Sequence, residues 1–228
     1  MRYITIILLF FSIYASAQTK TFIGVKGGGG ISSAYFEYTL ANALINTEYI
    51  PSYHGGVIVR FFSRINRSSY VNGGLQSGVT LTKKGWKQVF PTEEPSYVTQ
   101  LTYLEFPLEA MIYGGRGKTK PYFTLGMNFG HLVKVDKDPD PDLENIGQAE
   151  FYPYEESRDR TFSYGLRAGF GLQREFSFGA IHLEGYATYS MRDMLEYGSF
   201  DSGIPDLSNS YVMGFSVAYM IGFGKLDF

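Results

Sequence analysis

Phe162-Ser163-Tyr164-Gly165-Leu166-Arg167-Ala168-Gly169-Phe170-Gly171-Leu172-Gln173 changes character at every residue. Successive side chains of an extended chain point to opposite faces. Phe162, Tyr164, Leu166, Ala168, Phe170 and Leu172 therefore share one face, and Ser163, Gly165, Arg167, Gly169, Gly171 and Gln173 share the other. The first face is bulky and oily. The second is small and polar, and it holds the one charge.

The same division extends in both directions along the chain. Leu104, Phe106, Leu108, Ala110 and Ile112 oppose Tyr103, Glu105, Pro107, Glu109 and Met111. Ile181, Leu183, Ala187 and Tyr189 oppose His182, Glu184, Tyr186, Thr188 and Ser190. The uncharged stretch 207–224 is long enough for a helix, but Tyr211, Met213, Phe215, Val217, Tyr219, Ile221 and Phe223 interleave with Gly214, Ser216, Ala218, Gly222 and Gly224. A helix would spread those glycines over every side and lose about 1 kcal/mol at each relative to alanine. Alternation broken by clusters of Gly, Pro, Asn, Asp and Ser predicts strands at 21–32, 52–62, 68–83, 98–113, 120–132, 161–173, 178–192 and 210–227.

Two architectures use such strands. A soluble lipocalin-like barrel would turn the oily face inward around a ligand, leaving an outer face unusually poor in charge. A membrane barrel turns the oily face to lipid and the polar face to a narrow lumen, where glycines make room for Arg, Glu and Tyr. Gly24, Gly28, Gly74, Gly78, Gly126, Gly130, Gly165, Gly169, Gly214 and Gly222 all fall on the polar face. A one-residue slip would put Arg167 or Glu105 into hydrocarbon, at a cost of about 2–4 kcal/mol for arginine at the midplane. Connections also alternate, long at 33–51, 84–97, 133–160 and 193–209 and short at 63–67, 114–119 and 174–177. Outer-membrane barrels have long external loops and short periplasmic turns. Tyr53, Phe61, Phe162, Tyr189, Tyr211 and Phe223 are placed to form interfacial girdles. The expected fold is all-β, an eight-stranded antiparallel up-and-down transmembrane β-barrel.

Arg2, the apolar run from Ile4 to Tyr14 and Ala15-Ser16-Ala17 read as a secretory leader cleaved between Ala17 and Gln18. The run is shorter than the roughly 20 residues of a spanning helix. Residues 18–228 then form a single domain in the outer membrane. The 228 residues hold 20 Lys and Arg against 22 Asp and Glu and no cysteine. This excludes a basic nucleic-acid binder, a disulfide framework and a thiolate zinc site.

Tyr103-Leu104-Glu105-Phe106-Pro107-Leu108, then Lys120-Pro121-Tyr122-Phe123-Thr124-Leu125-Gly126 and a last strand ending at Phe228, resemble the PorT-like outer-membrane β-barrel family from about residue 21 onward. The resemblance implies an eight-stranded outer-membrane barrel of Gram-negative bacteria, in a family where most members have no assigned activity. One branch is associated with protein secretion, and no motif here carries that role across.

Sites of chemistry are few. Gly114-Gly115-Arg116-Gly117-Lys118-Thr119 resembles the end of a phosphate-binding loop, but Ile112 stands at the first glycine position and Pro121 with a strand follows. Gly27 to Gly30 lacks the spacing of a dinucleotide fingerprint and suits close passage past lumen side chains. No cofactor is expected. Asp136, Asp138, Asp140 and Asp142 are weak candidates for an external divalent cation; an EF-hand beginning at Asp136 fails at Pro141 and Gly147. His54, His131 and His182 stand singly, as lumen or rim histidines rather than metal ligands, and no catalytic triad gathers on the external rim. Lys26, Arg60, Glu105, Glu109, Arg167 and Glu184 are expected to pair across the lumen and close it.

The reading is a non-enzymatic barrel of structural or binding role acting through external loops, without an open pore. Its partners are outer-membrane lipid and other envelope proteins or an extracellular ligand, not nucleic acid. Loop 133–160, with Pro139, Pro141, Phe151, Tyr152, Pro153 and Tyr154, is the expected binding surface. The alternatives are an accessory part of an envelope secretion machine and the soluble ligand carrier.

Overall fold

The computed structural model describes residues 20–38, 43–44, 46–63, 70–89, 96–115, 117–138, 154, 159–196, 205 and 207–223. They contain strands β1 (Lys20–Tyr38), β2 (Ala43–Leu44), β3 (Thr47–Glu48), β4 (Ile50–Phe62), β5 (Val71–Gln88), β6 (Tyr97–Gly114), β7 (Thr119–Asp138), β8 (Phe162–Phe176), β9 (Gly179–Ser190) and β10 (Leu207–Phe223). The eight long strands pair antiparallel in chain order. β10 then pairs with β1 from Thr21↔Phe223 to Glu37↔Leu207, making a ring of eight. The two-residue β2 and β3 add to the upper parts of β1 and β5. The expected leader lies outside the described residues.

Side-chain direction follows the sequence alternation. Val25 is 62% exposed, Phe170 65% and Phe215 77%, while Arg60 and Glu109 are fully buried. The soluble-carrier alternative needs the opposite arrangement. An oily outer surface of this extent requires a cover, and acyl chains provide one. Glycines let neighbouring strands and lumen side chains approach closely. A Cβ at Gly126 would stand 2.1 Å from the Leu108 carbonyl oxygen, and one at Gly28 would stand 2.7 Å from the His54 ring.

Several strands are longer than expected. β1 continues from 32 to Tyr38, β5 from 83 to Gln88 and β7 from 132 to Asp138, while β10 begins at Leu207. Parts of the connections expected at 33–51, 84–97, 133–160 and 193–209 are thus paired sheet projecting past the apolar belt. Oily alternation is enforced only where a strand crosses hydrocarbon, so its fading marks the membrane edge rather than the strand end. A bulge shapes this overhang. Tyr103 pairs with Leu132 but Thr102 with Lys134, leaving Val133 as the extra residue. Leu132 is buried inside, whereas Lys134 turns outward and is exposed. Val135 then packs inward against the buried cluster above the lumen. Re-aiming side chains is a recurrent use of a bulge.

Candidate functional site

The lumen-facing residues of the crossing strands meet on the barrel axis. Arg60 of β4 donates from Nε to Gln76 of β5 at 2.6 Å and from a terminal nitrogen to Gln173 of β8 at 3.0 Å. Its other terminal nitrogen lies 3.5 Å from Glu184 of β9. Arg167 of β8 donates to Glu184 at 3.1 Å and lies 3.4 Å from Glu109 of β6. Lys26 of β1 stands 3.6 Å from Glu184. Gln76 and Thr124 complete the shell of Glu109, at 2.6 and 3.1 Å. Each guanidinium also lies over a ring, Arg60 over Tyr122 at 4.1 Å and Arg167 over Tyr186 at 4.0 Å. Buried charge persists only when paired and hydrogen-bonded, and here strands from around the ring supply the partners. Toward the external end, Lys84 and Thr82 donate to Glu105 at 2.8 and 2.7 Å. Between the two groups is a cavity of ≈ 10 Å³, lined in part by Lys26, His54, Asn128 and Arg167, with room for about one water.

Apolar layers lie above and below this charged layer. On the external side Ala34, Phe36, Trp86, Leu101, Tyr103, Leu132, Tyr154, Met194 and Leu195 form one buried cluster, with Phe36 edge-on to Trp86 at 5.0 Å. Toward the short turns, Phe22, Ile58, Phe62, Met111, Tyr113, Tyr122, Ala180, Ala218 and Met220 form a second. Below that, Lys20 and Lys120 both hold Glu175. The interior face is therefore layered rather than uniformly polar.

All six residues expected in the lumen, Lys26, Arg60, Glu105, Glu109, Arg167 and Glu184, are buried inside the ring. Five of them meet around Glu109 and Glu184, and Glu105 is tied instead to Lys84. Sequence reasoning missed Lys84 because it lies one residue past the expected strand end. It also missed Lys120 and Glu175, although their parity matches that of Tyr122 and Gln173 on the lumen faces of their strands. His54 meets the Tyr186 hydroxyl at 3.0 Å and His182 meets Arg60 at 3.1 Å. His131, near the upper end of β7, faces outward and is exposed, on the same parity as Phe129 and Val133.

One external assignment also changes. Tyr154 is not an exposed contact residue but is fully buried in the external cluster, where its hydroxyl donates to the Arg160 carbonyl at 3.0 Å. Pro139, Pro141, Phe151, Tyr152 and Pro153 lie outside the described residues, as do Asp140 and Asp142. Asp136 is shared by Lys134 and Lys83, and the Lys134 hydrogen bond holds its carboxyl below the usual range. Among the described residues no group of three His, Asp or Glu side chains is arranged to hold a metal.

Comparison with known proteins places this geometry in a wider set. The fold resembles OprG of Pseudomonas aeruginosa, with a TM-score of 0.45 and 12% identity over 92% of this chain and 97% of that one. It also resembles Neisserial surface protein A, with a TM-score of 0.41 and 14% identity over 88% and 96%. The attachment invasion locus protein Ail of Yersinia pestis gives 0.37 and 12% over 88% and 98%. No curated protein matches the chain. Residues 16–196 match the outer membrane protein beta-barrel domain. With most of the chain matched and eight strands closed around inward-facing charges, this protein belongs to the outer membrane protein beta-barrel domain family.

Proposed function

We propose that this outer-membrane barrel is a non-conducting, non-enzymatic protein that binds through its external face. The observation that carries the reading is the stack of layers on the barrel axis, in which the Arg60–Glu184–Arg167–Glu109 network lies between two apolar clusters. An eight-stranded ring is only wide enough for its own side chains. An ion crossing it would have to break paired charges and pass two dry layers. Function then falls to the membrane-facing surface and to what the overhanging strands present outside. The segment 139–153 lies between Asp138, the end of β7, and buried Tyr154. Replacing it with a short polar linker should leave folding intact and remove partner binding.

The PorT-like assignment and cleavage after Ala17 belong to the same proposal. The first is supported by the run 103–108, in which Tyr103, Glu105 and Pro107 all point into the barrel. The second is checked by the intact mass of the exported protein. Planar-bilayer recording on the purified protein tests the closed interior: the expected trace is flat, and reproducible conductance steps would overturn the reading. Stoichiometric recovery of periplasmic or inner-membrane proteins in mild detergent would instead favour an accessory role in an envelope machine.

A further inference from the structure

The charges on the barrel axis do not balance. Lys84 and Glu105 cancel one another, which leaves Lys26, Arg60 and Arg167 facing Glu109 and Glu184. One positive charge is therefore in excess, and the neighbouring His54 and His182 can only add to it. Among the described residues nothing below offsets it, because Lys20 and Lys120 share the carboxylate of Glu175. The remaining buried carboxylate, Asp159, accepts from the Glu196 N–H beside the external cluster. Apolar clusters bound the charged layer on both sides. An unmatched charge in so dry an interior is costly, and the layer calls for an anion.

The excess can be traced to one side chain. Arg60 and Arg167 donate hydrogen bonds within the layer, to Gln76, Gln173 and Glu184. Lys26 is equally buried but pairs only with Glu184, at 3.6 Å, beyond hydrogen-bond length. Its ammonium carries three donors, and among the described residues none of them has an acceptor within reach. Lys26 lines the ≈ 10 Å³ cavity, whose wall draws a residue from each of the eight long strands.

His54 lines the same cavity. Its Nδ1 meets the Tyr186 hydroxyl at 3.0 Å, while its Nε2 is buried without a partner. An imidazole that accepts from a hydroxyl at Nδ1 carries its proton at Nε2, which gives the wall a second open donor. Gly28, two residues along β1 from Lys26, makes room for this ring, since a Cβ there would stand 2.7 Å from it. Asn128 and Arg167 add further N–H groups to the wall. Glu105 also borders the space, but Lys84 and Thr82 occupy its two oxygens, at 2.8 and 2.7 Å. Room for about one water admits a monatomic ion and excludes phosphate, sulfate or a carboxylate.

We propose that a single halide ion, chloride under physiological conditions, binds between Lys26 and His54 and neutralises the charged layer. The ion satisfies donors that the protein's own groups leave open, and its binding is independent of whatever the external face recognises.

The test uses the full mature chain, crystallised from detergent in sodium chloride and soaked in sodium bromide. The expected anomalous difference map has a bromide peak in contact with Lys26 Nζ and His54 Nε2. In solution, with chloride at about ten times its Kd, the thermal midpoint of the heat-modifiable gel shift should be roughly 3–5 °C higher than in gluconate of equal ionic strength. Lys26→Met removes the excess charge and should abolish both the peak and the chloride dependence, while Lys83→Gln with Lys134→Gln on the external side should change neither. If Lys26→Met does not fold, the wild-type bromide peak decides, and His54→Phe, which removes one donor, should lower its occupancy. An ordered water in the cavity with no bromide, bromide only at exposed lysines as an adventitious ion, or a chloride-dependent midpoint that survives Lys26→Met would overturn the proposal.

Discussion

Glu184 accepts from Arg167 and Tyr122, at 3.1 and 3.2 Å, and stands within 3.6 Å of Arg60 and Lys26. Glu184→Ala would therefore leave three buried cations sharing Glu109. The expected loss is about 3–5 kcal/mol, read by urea unfolding in lipid; Glu184→Gln, which keeps the volume and one acceptor oxygen, should lose less. Glycine supplies a second residue-level contrast. Gly126→Ala would bring a Cβ to 2.1 Å from the Leu108 carbonyl oxygen, whereas Gly73→Ala meets nothing closer than 3.9 Å. The first should destabilise by about 1–3 kcal/mol and the second by much less, and thermal gel-shift midpoints compare them directly. At this scale the charges were legible, because a charge on the lipid face costs too much for Arg167 or Glu184 to point elsewhere. Their uncharged partners were not. Nothing in the sequence says that Gln76 rather than Ser216 meets Arg60, since both simply alternate onto the polar face.

Strands are where sequence and structure diverge most. β5 and β7 run beyond the membrane because β6 between them pairs with both, and polar residues there cost nothing in water. The Val133 bulge could not be read from one sequence, since an extra residue leaves no mark except a change of parity at Lys134. Leu132 and Val135 on either side of it join the external cap, in which Trp86 is the largest buried side chain. Trp86→Ala should cost about 3–5 kcal/mol. Limited trypsin digestion should then cut the overhang near Lys84 and Lys87 while the crossing part keeps its heat-modifiable shift. Loss of that shift together with the cap would show that cap and barrel are one cooperative unit.

For the molecule as a whole, one constraint organises every layer: hydrocarbon outside forces charge inside, and a ring of eight is narrow enough for those charges to reach one another. Strand number and the parity of the crossing segments were legible because lipid enforces them. The apolar clusters above and below the charged layer were not, because Phe22, Ile58 and Met220 break the polar pattern on the lumen face at positions where no lipid judges them. The most direct test is nitroxide scanning of residues 213–219 in β10, reading oxygen accessibility in lipid vesicles. The account predicts high values at Met213, Phe215, Val217 and Tyr219 and low values at Gly214, Ser216 and Ala218. The opposite phase, or no period of two, would contradict it.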